Sequence, residues 1–154
     1  MEFCPFWQEF FLYHLGKLQD AIKCYDKSLE INSKDAGTWG NKGLALRRLG
    51  KPQEAIECYD KSLELNPKFD TAWYNKGLVL NTIRKPEEAI NCFEKAIEID
   101  PRNAEAWFHK GGILAYFGNT QDAIRCFEKT IEFTPPEYTS QIEQIKQTIN
   151  QLRR

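Results

Sequence analysis

Two histidines, His14 and His109, and five cysteines are the side chains of this sequence best suited to hold a metal or attack an electrophile. Their spacing supports neither. The histidines stand far apart, no cysteine shares a recognisable nucleophile motif with either, and no Gly-rich phosphate loop or metal-spaced His/Cys/Asp cluster occurs. Four of the cysteines, Cys24, Cys58, Cys92 and Cys126, recur every 34 residues. Equivalent positions in neighbouring helical hairpins lie about 8–10 Å or more apart, beyond the ~7 Å Cα limit for a disulfide. One thiol per recurrence also offers zinc no second sulfur. The expectation is a ladder of small packed residues, reduced and metal-free. The chain reads as non-enzymatic, with no cofactor.

The elements that would position any site follow the same beat. Trp39, Trp73 and Trp107 are in step, as are Gly43, Gly77 and Gly111, and Ala21, Ala55, Ala89 and Ala123. Tyr25, Tyr59, Phe93 and Phe127 keep the register, and so do Pro67, Pro101 and Pro135. Inside each unit the apolar positions have helical spacing, as in Trp73, Gly77, Leu80 and Ile83, then Ala89, Ile90, Phe93 and Ile97. Each unit is therefore two helices. Pro52 and Pro86 suit the first turn of the second helix, where a missing N–H costs nothing, and Asp20, Glu54, Glu88 and Asp122 place negative charge there. Gly16, Gly50 and Gly118 occupy the turn between the helices, and Arg84 takes that position in the third unit, with an expected positive φ. A unit of this length cannot bury its own apolar face, so neighbours must stack into one elongated core.

Composition narrows the function. The 154 residues, 42 % apolar, suffice for one domain. With 21 basic and 22 acidic residues the formal charge is −1, so the surplus of cations that nucleic-acid binding needs is missing. Apolar runs fall far short of the ~20 residues of a membrane span. No Lys or Arg precedes Lys17, so no signal peptide is expected and the expected address is cytoplasmic.

The Trp, Gly, Ala, aromatic and Pro positions together resemble the tetratricopeptide repeat (TPR) family. Repeats 36–69, 70–103 and 104–137 match nearly throughout, with Ser62, Ala96 and Thr130 as the family's small residue; repeat 2–35 matches only in its second half. The resemblance implies an all-α fold, a right-handed α-solenoid of stacked antiparallel helix pairs, forming a single domain over 1–154. It also implies that Gly43, Gly77 and Gly111 let the helices approach beside Ala55, Ala89 and Ala123. Segment 137–152 drops the repeat and spaces Tyr138, Ile142, Ile145, Ile149 and Leu152 by four and three, as a capping helix would. Asp26, Asp60, Glu94 and Glu128, each followed by a lysine, read as a solvated outer face.

In proteins this chain is similar to, first helices line a concave groove for a protein or peptide. Carried over by position, that groove comprises Asn41, Leu44, Arg47 and Arg48, then Tyr74, Asn75, Leu78 and Thr82, then Phe108, His109, Gly112 and Tyr116. Asn41, Asn75 and His109 form a polar ladder able to satisfy a peptide backbone. Gly112, beside Gly111, either opens a pocket next to His109 and Tyr116 or is neutral. The carboxylate clamp of chaperone-docking members is missing, since in either frame only Asn41 or Asn75 fits and Glu105 would repel the ligand. The expected function is a non-catalytic interaction scaffold. The alternative is a self-assembling module, a homo-oligomer joined through Phe3, Phe6, Trp7 and Phe10 of an aromatic first helix or through the C-terminal helix.

Overall fold

The computed structural model describes residues 17–154. Helices α1 (Leu18–Ile31), α2 (Ala36–Arg48), α3 (Pro52–Leu65), α4 (Asp70–Thr82), α5 (Pro86–Ile99), α6 (Ala104–Tyr116), α7 (Thr120–Phe133) and α8 (Thr139–Leu152) follow one another with short turns between them. Among the described residues there is no strand. Phe3, Phe6, Trp7 and Phe10, together with Gly16, lie outside the described residues.

The pairs α2/α3, α4/α5 and α6/α7 are the three full hairpins, and α1 is the second helix of the degenerate one. Pro52 and Pro86 open α3 and α5, while α3, α5 and α7 stop two residues before Pro67, Pro101 and Pro135. First helices gain their own start signals: Asp35 accepts from the N–H groups of Gly37 and Thr38, and Asn103 accepts from Ala106 at 2.9 Å. Between helices the chain turns through Gly50 (φ 72°), Arg84 (φ 62°) and Gly118 (φ 76°), with Arg84 in the left-handed region as its position demands.

Ala21, Ala55, Ala89 and Ala123 are fully buried, and Tyr59 and Phe93 are the largest side chains sealed in the core. At Gly43 and Gly77 the nearest atoms belong to these rings. A Cβ at Gly43 would stand 2.8 Å from Cε1 of Tyr59, and one at Gly77 would stand 2.7 Å from Cε1 of Phe93. The aromatic ring lies across the first helix where its side chain is missing, which compensates for the roughly 1 kcal/mol that glycine costs a helix.

Each described tryptophan fastens its helix to the preceding loop. The indole N–H groups of Trp39, Trp73 and Trp107 donate at 2.9 Å to the carbonyl oxygens of Ser33, Pro67 and Pro101. Over each indole lies a lysine ammonium, Lys42, Lys76 or Lys110, which also pairs with Asp26, Asp60 or Glu94 of the hairpin before it. This corrects the reading of those acids as a solvated face: they are half-exposed partners in the joints between repeats. Their lysine neighbours Lys61, Lys95 and Lys129 do face solvent, in pairs with Glu64, Glu98 and Glu132.

Beyond the last hairpin, α8 presses Ile145 and Ile149 onto Ala123 and Phe127. Tyr138 is exposed and takes no part in that contact.

Candidate functional site

Because α2, α4 and α6 recur at successive repeats, each packed on the second helix of the repeat before it, side chains at neighbouring positions come together on one face. Tyr74 on α4 lies 5.9 Å from the ring of His109 on α6, and His109 stacks at 5.7 Å and 17° on Phe93. Phe108 meets His109 edge-on at 5.6 Å and reaches Phe127 at 5.8 Å. The result is a ridge of rings with a cleft on each side.

The first cleft, about 490 Å³, lies between α6 and α8 and is lined by Tyr74, Glu105, Phe108, His109, Gln144 and Thr148 among others. The second, about 620 Å³, is lined by Asn81, Arg84, Phe108, His109, Gly112 and Tyr116. A Cβ at Gly112 would meet nothing within 4 Å. Gly112 thus lines this cleft with His109 and Tyr116.

The remaining groove positions divide by burial. Asn41, Arg48, Thr82, Phe108 and Tyr116 are exposed, whereas Leu44 and Leu78 are half-buried and pack on the core. Asn75 is buried, and its amide donates at 2.9 Å to the carbonyl of Thr71 one turn back. The polar ladder is thus broken at its middle rung, where the amide serves its own helix. Arg47 is half-buried, and its Nε has no hydrogen-bond partner.

Electrostatics follow burial. Tyr74 is driven well above the usual phenol range by desolvation, with the Glu105 carboxylate beside it adding to the effect and Arg47 opposing it. Burial lowers the pKa of His109, against the pull of Glu105, so its imidazole is neutral at pH 7. Cys58 and Cys92 are pushed up to about 11 by burial, and Cys126 is raised for the same reason. These three are free thiols. Cys24 departs from the expected reduced ladder, since it is disulfide-bonded. With the other three free, that bond does not run within the ladder. Among the described residues no group of His, Cys, Asp or Glu could hold a metal.

Repeated helical hairpins, stacked in register and offering a face of exposed rings, are the architecture of a protein-interaction scaffold. The chain belongs to the tetratricopeptide repeat family, whose models match residues 11–35, 36–69, 71–103 and 92–125. No curated protein sequence matches it. Among solved structures it is similar to MamA, with TM-score 0.82 and 24 % identity over 94 % of this chain and 76 % of that one. A second MamA structure gives TM-score 0.78 and 22 % identity, covering 94 % of this chain and 91 % of that one. It is also similar to YrrB, described as a TPR protein with an unusual peptide-binding site, with TM-score 0.73 and 26 % identity over 83 % of this chain and 66 % of that one.

Proposed function

We propose that this chain is a non-catalytic scaffold, a single domain that holds an extended segment of a partner protein along the face formed by α2, α4 and α6. The observation that carries this reading is the pair of adjoining clefts around Phe108 and His109. There, large rings are left partly in water, Phe108 at 43 % exposure and Tyr116 at 85 %, on helices that otherwise bury their apolar residues. Exposed aromatics on rigid helices give contact area with little entropy to lose. The polar outward face of α8, with Lys146, Gln147 and Asn150 exposed, gives no support to association through that end. A cytoplasmic address, expected from the charge pattern before Lys17, loses the added agreement of reduced thiols at Cys24, which is disulfide-bonded.

Selection from a random peptide library on the full chain tests the proposal. Binders should lose capture on a Phe108→Ala/Tyr116→Ala variant whose helicity and melting temperature stay close to the parent's. Undiminished capture by that variant would move the site off this face.

A further inference from the structure

Resting on that reading, we infer that the cleft between α6 and α8 receives a cationic side chain of the bound segment, an arginine guanidinium foremost. One wall is aromatic. Tyr74 is tilted 50° to His109, and Phe108 stands at 77° to it, so the rings form a bent surface that presents both faces and edges. The other wall is uncharged and mixed, with Thr130, Thr134, Gln144 and Thr148 beside Ile145, and the three threonine hydroxyls donate to the carbonyls of Cys126, Thr130 and Gln144. Glu105 is the single charged residue of the lining at neutral pH, because His109 is neutral there.

Glu105 differs from the acids in the joints between repeats. Asp60 and Glu94 are matched by Lys76 and Lys110, whereas no lysine or arginine among the described residues pairs with Glu105. Its neighbour is the Tyr74 hydroxyl, held protonated by burial and by that same carboxylate. The cleft thus offers one negative charge beside ring faces, and both attract a cation. A guanidinium can lie flat on a ring while its fork reaches a carboxylate through two parallel bonds; an ammonium can meet a ring and a carboxylate together, as Lys76 does over Trp73 and on Asp60, but only as a point charge. An acidic side chain would meet Glu105 as a like charge. An aliphatic one would take water from the Glu105 carboxylate and offer neither charge nor hydrogen bond in exchange.

The test needs no knowledge of the natural partner. Nα-acetyl-arginine amide is titrated into isotopically labelled full chain, beside the citrulline analogue, which has nearly the same shape and no charge, and the lysine analogue. The arginine probe should give saturable shifts at Tyr74, Glu105, Phe108 and His109, with citrulline and the Glu105→Gln variant each weakening it about fivefold or more and lysine falling between. Equal binding of arginine and citrulline, or arginine shifts that map elsewhere or fail to saturate, would overturn the inference. Library peptides that bind this face with no enrichment of arginine or lysine would also overturn it, while leaving the scaffold reading standing. A library yielding no binder, with arginine still titrating the cleft through Glu105, would instead count against the scaffold reading alone.

Discussion

Arg153 Nη2, on the residue that follows α8, lies 2.9 Å from Oε1 of Glu128 on α7, and so fills the place that Lys42, Lys76 and Lys110 take on Asp26, Asp60 and Glu94. The next residue in the lysine register is Gln144, which cannot make an ion pair. The final helix therefore closes the row of acids from its own C-terminal end.

The two kinds of joint should differ in strength. Lys76 keeps 20 % of its side chain exposed and lies over Trp73, whereas Arg153 and Glu128 are both more than half in water. Arg153→Ala should cost about 0–1 kcal/mol, as exposed pairs do. Lys76→Ala removes the stem packed on the indole as well as the pair, and should cost about 1–2 kcal/mol. Urea melts of both variants decide the order, and a larger loss for Arg153→Ala would contradict it.

Two glycines on first helices should respond to alanine with opposite signs. At Gly77 a Cβ would stand 2.7 Å from a fully buried Phe93 ring, so overpacking should outweigh the gain in helix propensity and destabilise by about 1–2 kcal/mol net. At Gly112 the space is open, and Gly112→Ala should stabilise by about 0.5–1 kcal/mol. Thermal unfolding checks the sign at each site.

The repeat itself was plain in the sequence because every hairpin solves the same packing problem with the same residue types. Helix starts at Pro52 and Pro86, stops before Pro67, Pro101 and Pro135, and the left-handed turn at Arg84 all follow from backbone chemistry that acts locally. What was not legible depends on contacts between repeats. Spacing alone could not say that Asp60 reaches forward to Lys76, since an acid followed by a lysine equally describes a free surface. Nor could it say that Asn75 bends back to Thr71, because position in a repeat fixes where a side chain starts and not which partner it finds. Glu105 entered the sequence reading only as a repulsive group; its place beside Tyr74 needed two helices to be brought together.

Arg84→Gly should stabilise the chain by about 1 kcal/mol, because φ of 62° is adopted by glycine without the Cβ penalty. The backbone bonds there run from Arg84 N–H to Asn81 and from Lys85 N–H to Leu80, and neither needs the side chain. A lowered midpoint in urea would show that the guanidinium contributes more than the turn geometry costs.

The buried thiols give a chemical test of packing. Cys58 and Cys92 have pKa values near 11 and are inside the second helices, so little thiolate exists at pH 8 and little of it is reachable. In native protein, Cys58, Cys92 and Cys126 should resist brief alkylation at pH 8, and all three should react once urea unfolds the chain. Mass mapping of the modified residues checks this, and fast labelling of Cys92 without denaturant would mean that α5 opens locally.

His109 should make stability fall as the pH drops from neutrality. Its folded pKa lies below the ordinary histidine value of 6.5 because burial disfavours the imidazolium. Between the folded and unfolded values the unfolded chain binds more protons, so stability rises with pH across that window and levels off above the unfolded value. The groups facing the ring are Tyr74, Phe93, Phe108 and Glu105; only Glu105 favours the proton, and burial outweighs it. Replacing the imidazole by a ring that cannot titrate, His109→Phe, should keep the stacking on Phe93 and flatten this part of the profile. Urea melts of parent and variant at pH 7.5, 6.5 and 5.5 compare the slopes. A parent whose stability is level from pH 7.5 to 5.5, or a variant with an undiminished slope, would assign the pH response to other groups.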